Sequence, residues 1–292
     1  MTIVVEKLHD KFAARIQGVD LTKPLPVDVR KDIQAALDRY AVLVFPGAPL
    51  TEDQQADFAE NFGQLERSNI IMKVKARIGG RLADISNIDE NEQVFGEYDR
   101  RRMFSLGNQL WHTDSSFKKI PAKYSMLHAH VVTPEGGETQ VVDTRVAYEA
   151  LPQKMKDRID GLVAEHSIFT SRAKLGFTDF TDEERASLPP VARPLVRSHK
   201  ESGRKALYLA SHISHICDMN VPDGKMLVRE LLEHATQKEF IYELKWRVGD
   251  LMIWDNRCTL HRGRPYDDTL HRRDLRRATL EDLEYAAAEE AA

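Results

Sequence analysis

The chain is poor in cysteine. It has two in 292 residues, Cys217 and Cys258, far apart and without CxxC spacing. That argues against a disulfide framework and for a reducing compartment. No apolar run approaches the roughly 20 residues of a membrane helix. The opening MTIVVEKLHDKF lacks the apolar stretch and cleavage site of a secretory signal, so a soluble cytoplasmic protein is expected. There is little excess of charge: 42 Lys and Arg against 46 Asp and Glu leave a net −4. That balance speaks against nucleic acid or an anionic membrane as partner. No repeat and no Gly/Ser- or Pro-rich linker divides the chain, and low complexity is confined to the Ala/Glu tail at 285–292. One domain over 1–292 is therefore expected, and at 42% apolar residues it can bury a sizeable core.

Helical periodicity comes first along the chain. Val29, Ile33, Ala36, Leu37 and Tyr40 recur at helical spacing after two prolines. Residues 41–45 (AVLVF) read as a buried strand stopped by Pro46-Gly47. Thr51 with Gln54 resembles a capping box for a helix reaching about residue 62. From about residue 80 the pattern turns to short apolar runs broken by Gly, Pro and Asp, at 83–85, 124–130, 140–142, 207–210 and 251–254. Phe240, Tyr242, Leu244 and Trp246 alternate, which buries one face of a strand. Two helices interrupt, near 146–160 and 223–237. The fold class read from this is mainly β with flanking helices, a sandwich or barrel with helices outside. Stretches 88–107 and 167–193 are too long for ordinary connections, and their interspersed Phe and Leu predict lids that order over a site.

The eleven histidines stand out against the scarcity of cysteine. In Trp111-His112-Thr113-Asp114, an extended backbone turns His112 and Asp114 to one face, because strand side chains alternate. An imidazole nitrogen and a carboxylate oxygen then converge. His261, in WDNRCTLHRGRPY, is the best candidate for a third ligand. Two His and a carboxylate suit the open facial site of non-haem Fe(II) oxygenases, and also some zinc hydrolases. An isolated HxD equally well forms plain hydrogen bonds. Near the C-terminus, HRRDLRRAT read as a strand puts Arg273, Leu275 and Arg277 on one face and Arg272, Asp274 and Arg276 on the other. Two inward arginines each need a carboxylate, since an unpaired buried charge is costly. A co-substrate and a substrate would supply two.

At this point the residues resemble a family, the 2-oxoglutarate-dependent Fe(II) dioxygenases related to taurine dioxygenase. The segments that carry the resemblance are VLVFPGAPLTEDQQ, FAENFGQLE, LADISN, NQLWHTDSSF, PAKYSML, PEGGET, GRKALYL, LLEHATQKEF, VGDLMIWDNRCTLHRGRPYD and RRDLRRAT. They run in order across nearly the whole chain. The resemblance implies a double-stranded β-helix, or jelly-roll, with iron between its sheets. It implies His112, Asp114 and His261 as Fe(II) ligands. Arg273, with the hydroxyl of Thr139 in GGET, matches the pair that holds the distal carboxylate of 2-oxoglutarate. Trp254, in WDNR, packs beside the metal with co-substrate contact. Arg277 matches the arginine for the substrate's acidic group, and Asn108 a substrate-pocket asparagine. Lys73 sits where the aryloxyacetate-degrading branch of the family places a basic residue near the substrate carboxylate. Gln93 falls where that branch has a lysine. His212 is a candidate substrate contact, whereas His128 and His130 are expected to be structural.

The reaction so implied consumes O2 and 2-oxoglutarate, releases succinate and CO2, and uses ascorbate as a reductant. It hydroxylates the side chain of a small acidic aromatic substrate, an aryloxyacetate, to give a phenol and glyoxylate. Other acids remain open within the same chemistry: an aryloxypropionate, a sulfonate, an alkyl sulfate or an aromatic acid. A non-catalytic acid-binding jelly-roll is a further alternative, and a homo-oligomer is expected.

Overall fold

The computed structural model describes residues 3–66 and 77–290, so Lys73 lies outside the described residues. One wall is a seven-stranded sheet. Its spatial order is Val4–Lys7, Ala14–Gln17, Val42–Phe45, Leu251–Asp255, Ala122–Val131, Asp274–Glu281 and Ala83–Ser86. Its pairs are antiparallel apart from Ala14–Gln17 against Val42–Phe45.

Strand alternation sorts this sheet's side chains into two cores. Leu43, Phe45, Tyr124, Met126, Leu251 and Ile253 pack outward with the helices Val27–Tyr40 and Glu52–Glu60. Val42, Val44, Leu127, Ala129, Met252 and Trp254 face inward, against Val141 and Leu244 of an opposing sheet and Trp246 just beyond it. That opposing sheet has Thr139–Asp143 between Ile241–Leu244 and Thr259–Gly263. Two smaller sheets, Ile213–Ile216 with Val163–His166 and Val191–Pro194, and Arg204–Leu207 with Val196–His199, share a third core with the helices Thr144–Ala150 and Val221–Ala235. The result is a jelly-roll with helices outside and the site between the sheets. No helix among the described residues is long and apolar enough to cross a membrane.

Local chemistry explains most boundaries. The Thr51–Gln54 capping box forms in both directions at the head of Glu52–Glu60. Asn220 caps Val221–Ala235, with Pro222 in its first turn. The helix expected near 146–160 is two helices, Thr144–Ala150 and Gln153–Ile159. Pro152 lacks the N–H a continuous helix needs and holds Leu151 extended, so the chain breaks there. Both long stretches contain helix: Arg100–Ser105 running into a 3₁₀ turn at Leu106–Gln109, then Ile168–Ala173 and Asp182–Ser187. The two stretches touch, with Phe104 edge-on to Phe177 and Phe180, and Arg100 paired to Glu184 at 2.8 Å.

Candidate active site

Backbone pairing assembles the site. His112 and His261 form an isolated antiparallel bridge, their amides and carbonyls exchanging bonds of 3.0 and 2.9 Å. In the register of Thr259–Gly263 against Thr139–Asp143, His261 lies opposite Val141 and Gly263 opposite Thr139. The alternation that buries Val141 between the sheets therefore turns Thr139 and His261 inward too. Asp114 follows His112 around a turn, and donor atoms of His112, Asp114 and His261 lie within 4.8 Å of one another.

The protonation states suit a divalent cation. The His112 Nδ1–H donates to the Leu110 carbonyl at 2.7 Å, which leaves the Nε2 lone pair facing Asp114 Oδ1, 3.8 Å away. His261 Nε2 lies 3.6 Å from Asp114 Oδ2. Burial lowers the pKa of both imidazoles, so both are neutral ligands at neutral pH. Burial alone would raise the Asp114 pKa. Arg277, then His261 and His112, then a hydrogen bond from Ser125 outweigh it and bring the carboxyl down to about 2. Two neutral imidazoles and one carboxylate on one buried face fit Fe(II) with positions left open.

Asp114 is held from behind. Ser125 Oγ donates to Oδ2 at 2.7 Å, Asn256 Nδ2 donates to Ser125 Oγ at 2.9 Å, and Asn256 Oδ1 accepts the Asp114 amide and the Trp254 indole N–H. Ser125 and Asn256 escaped the sequence reading. Asn256 carried a signal, since it sits inside WDNR, whereas Ser125 is a plain serine in a strand.

One cavity joins the rest. Its lining includes His112, His261, Thr139, Trp254, Asn108, Arg273 and Arg277. The Trp254 ring lies 4.6 Å from that of His261. Thr139 Oγ1 accepts the Trp246 indole N–H at 3.0 Å, so its own proton is free to be donated into the cavity. Arg273 is buried, donates to the Gly137 carbonyl at 3.0 Å, and has no carboxylate partner among the described residues. Burial lowers its pKa, opposed by Tyr266 and Glu138. Gly137, at φ +72°, gives it room: a Cβ there would stand 3.2 Å from Arg273 Nε. Arg277 donates to Asp114 Oδ1 at 2.5 Å, and its Nε is buried without a partner.

Other expected residues lie elsewhere. His212, the candidate substrate contact, is not among the residues that line the cavity. It packs edge-on to His112 and Phe117, with ring centroids 5.9 and 4.8 Å apart, and Nδ1 bonds to Ser171. The strand Arg204–Leu207 ends before it and residues 211–212 turn, so strand alternation does not carry His212 to the cavity. Gln93 is exposed and outside the lining. His128 and His130 bond to each other at 3.0 Å. In a second cluster, His199, Asp255 and Cys258, the Asp255 carboxylate is already engaged, by Arg257 at 2.7 Å and by His199 Nε2 at 2.9 Å.

A jelly-roll carrying a buried His-Asp-His face beside an arginine-lined cavity defines a metal-dependent oxygenase of the double-stranded β-helix class. The family model "Taurine catabolism dioxygenase TauD, TfdA family" matches residues 5–279, and the chain belongs to that family. It is 48% identical to the alpha-ketoglutarate-dependent 2,4-dichlorophenoxyacetate dioxygenase of Cupriavidus pinatubonensis, over 97% of this chain and 99% of that protein. It is 37% identical to the (S)-phenoxypropionate/alpha-ketoglutarate-dioxygenase of Sphingobium herbicidovorans, over 92% and 91%. A crystal structure of AAD-2 in complex with Mn(II) and N-oxalylglycine superposes with a TM-score of 0.94 at 46% identity, covering 96% of this chain and 98% of that one.

Proposed function

We propose that the protein is an Fe(II)- and 2-oxoglutarate-dependent dioxygenase that hydroxylates the side-chain CH₂ of an aryloxyacetate such as 2,4-dichlorophenoxyacetate. The observation that carries the reading is Arg273, a buried cation with no carboxylate partner among the described residues, in the same cavity as the His-Asp-His face. The near full-length identity to a 2,4-dichlorophenoxyacetate dioxygenase supports the substrate class. The likeness to an (S)-phenoxypropionate dioxygenase keeps aryloxypropionates as the second reading.

Iron held by His112, Asp114 and His261 supplies the oxidising chemistry, drawing on O2 and 2-oxoglutarate. The protein's part is position and dryness. The Arg273 guanidinium grips the distal carboxylate of 2-oxoglutarate as a fork, and the Thr139 hydroxyl donates to the same group. That fixes the far end of the co-substrate, so its keto acid end meets the metal face in one orientation. Ser125 and Asn256 keep Asp114 aimed at the metal. Arg277 holds the substrate carboxylate, with Asn108 lining the same cavity, and brings the ether CH₂ toward the metal face. Hydroxylation there makes a hemiacetal, which collapses to a phenol and glyoxylate.

Purified protein with Fe(II), 2-oxoglutarate and a panel of aryloxyacetates, aryloxypropionates, sulfonates and alkyl sulfates tests this. Succinate and phenol should form together, fastest with an aryloxyacetate. Succinate without phenol from every aryloxy acid rejects the substrate class, and no succinate at all rejects the reaction.

A further inference from the structure

We propose that Arg172 is a specificity-determining residue, a buried guanidinium behind the cavity wall that selects anionic substrates by its charge and without touching them. The proposal rests on the aryloxy-acid reading above.

Arg172 lies in the helix Ile168–Ala173 and is 4% exposed. Its guanidinium stacks 4.2 Å from the ring of Phe104 and presses on Gly107. A Cβ on Gly107 would fall 2.1 Å from Arg172 Nη1, so a larger residue there would displace the guanidinium. Gly107 belongs to the 3₁₀ turn Leu106–Gln109, whose Leu106, Asn108 and Gln109 line the cavity. The positive group thus sits directly behind that wall.

The charge there is uncompensated. Nη1 donates to Ser171 Oγ at 3.1 Å, and Nε is buried without a partner. No carboxylate pairs with Arg172 among the described residues. Its neighbours on the facing lid stretch differ: Arg101 pairs with Asp99 and Arg102 with Asp268, at 2.8 and 2.9 Å. Ser171 is fully engaged, since its hydroxyl donates to the Ile168 carbonyl at 2.7 Å while it accepts from Arg172 and His212. A residue needed only to fill this gap would serve better without a charge, because an unpaired buried cation is costly. An anion in the adjoining cavity offsets that cost across the wall, through protein that screens poorly.

The direction of the field decides which anion. Burial, and then repulsion from Arg277, brings the Arg172 pKa down to about 10. Its charge also bears on His112. Arg273 is governed instead by burial, Tyr266 and Glu138. Arg172 therefore acts on the metal face and on Arg277, the proposed anchor of the substrate's acid, and leaves the Arg273 end of the cavity alone.

The test compares an aryloxyacetate with its uncharged primary amide, which has nearly the same shape. Each is assayed with wild type, Arg172→Met and Arg172→Lys, in the presence of Fe(II) and saturating 2-oxoglutarate. The amide is scored as a competitive inhibitor if it is not turned over. A unit charge acting across roughly 10 Å of protein is worth about tenfold in binding. With 2-oxoglutarate saturating, Arg172→Met should lower kcat/KM for the acid by about that factor and leave the amide unchanged. Arg172→Lys should restore most of the preference for the acid. Arg172→Gln serves as the neutral variant if the Met protein does not fold. Equal losses for acid and amide would make Arg172 a packing residue and overturn the proposal, as would an acid left unaffected. If wild type forms no succinate with any acid, the reading of the reaction falls, and the role of Arg172 with it.

Discussion

Replacing Arg273 by methionine should have opposite effects on binding and on stability. Met keeps much of the aliphatic stem and removes the charge. Arg273 is buried, its guanidinium donates to the Gly137 carbonyl, and no carboxylate among the described residues pairs with it. A charge-assisted hydrogen bond is worth about 1.5–3 kcal/mol, so losing a two-bond fork costs roughly 3–5 kcal/mol of 2-oxoglutarate binding. At about 1.4 kcal/mol per factor of ten, the KM for 2-oxoglutarate should rise roughly a hundredfold to several thousandfold. Without co-substrate the balance reverses. An unpaired buried charge costs several kcal/mol, and the single bond to Gly137 offsets only part of it. The variant should therefore be at least as stable as wild type, and ~1–3 kcal/mol more stable if the Met side chain packs well. Thermal unfolding with and without 2-oxoglutarate measures both effects. At a ligand concentration about 100 times the wild-type Kd, wild type gains about 2.7 kcal/mol. A variant binding 100-fold more weakly gains only about 0.4 kcal/mol. A variant that loses several kcal/mol of stability, yet keeps the wild-type ligand shift, would show that Arg273 is structural and refute the reasoning.

Three further perturbations probe what surrounds the ligands. Ser125→Ala removes the donor that aims Asp114, and metal affinity should fall about 10- to 100-fold; a Mn(II) titration followed by electron paramagnetic resonance reads this without turnover. Gly137→Ala strains a backbone at φ +72° and pushes on Arg273 and Thr133; it should raise the KM for 2-oxoglutarate with little change in that for the aryloxy acid, and equal changes in both would argue against it. His166 is buried with Nε2 unpartnered, and burial, then Arg193 and Lys174, lowers its pKa to about 3. From about pH 6.5 down to about pH 3 the unfolded chain binds a proton that the folded chain refuses, so stability falls with acidification by about 1.4 kcal/mol per pH unit for this one group. Urea unfolding between pH 6 and 5 should show a shallower pH slope for His166→Asn, and an unchanged slope would reject the assignment.

What could be read from the chain follows from how far apart the cooperating residues lie. His112 and Asp114 are two positions apart, and both end on the buried face that strand alternation suggests, although Asp114 sits on a turn. Arg273 and Arg277 were separable from Arg272 and Arg276 by the same alternation, and Leu275 between them packs in the inward core. That His261 meets His112 was legible from its residue type and its place after an apolar strand. The bridge that brings their backbones together was not, because a pairing across 149 positions leaves no local mark. The same limit hid the support for Asp114, which comes from Ser125 and Asn256, 11 and 142 positions away. Arg172 shows the limit most plainly. It falls in the segment TSRAK, within the lid-like stretch 167–193, where nothing in the sequence singles it out. Its burial is set by Phe104 and Gly107, more than 60 positions earlier, and nothing in its own neighbourhood marks the absence of an acid. Sequence shows that an arginine is present. Sequence cannot show whether its charge is balanced; the fold does, and Arg172 and Arg273 are buried without a carboxylate partner among the described residues.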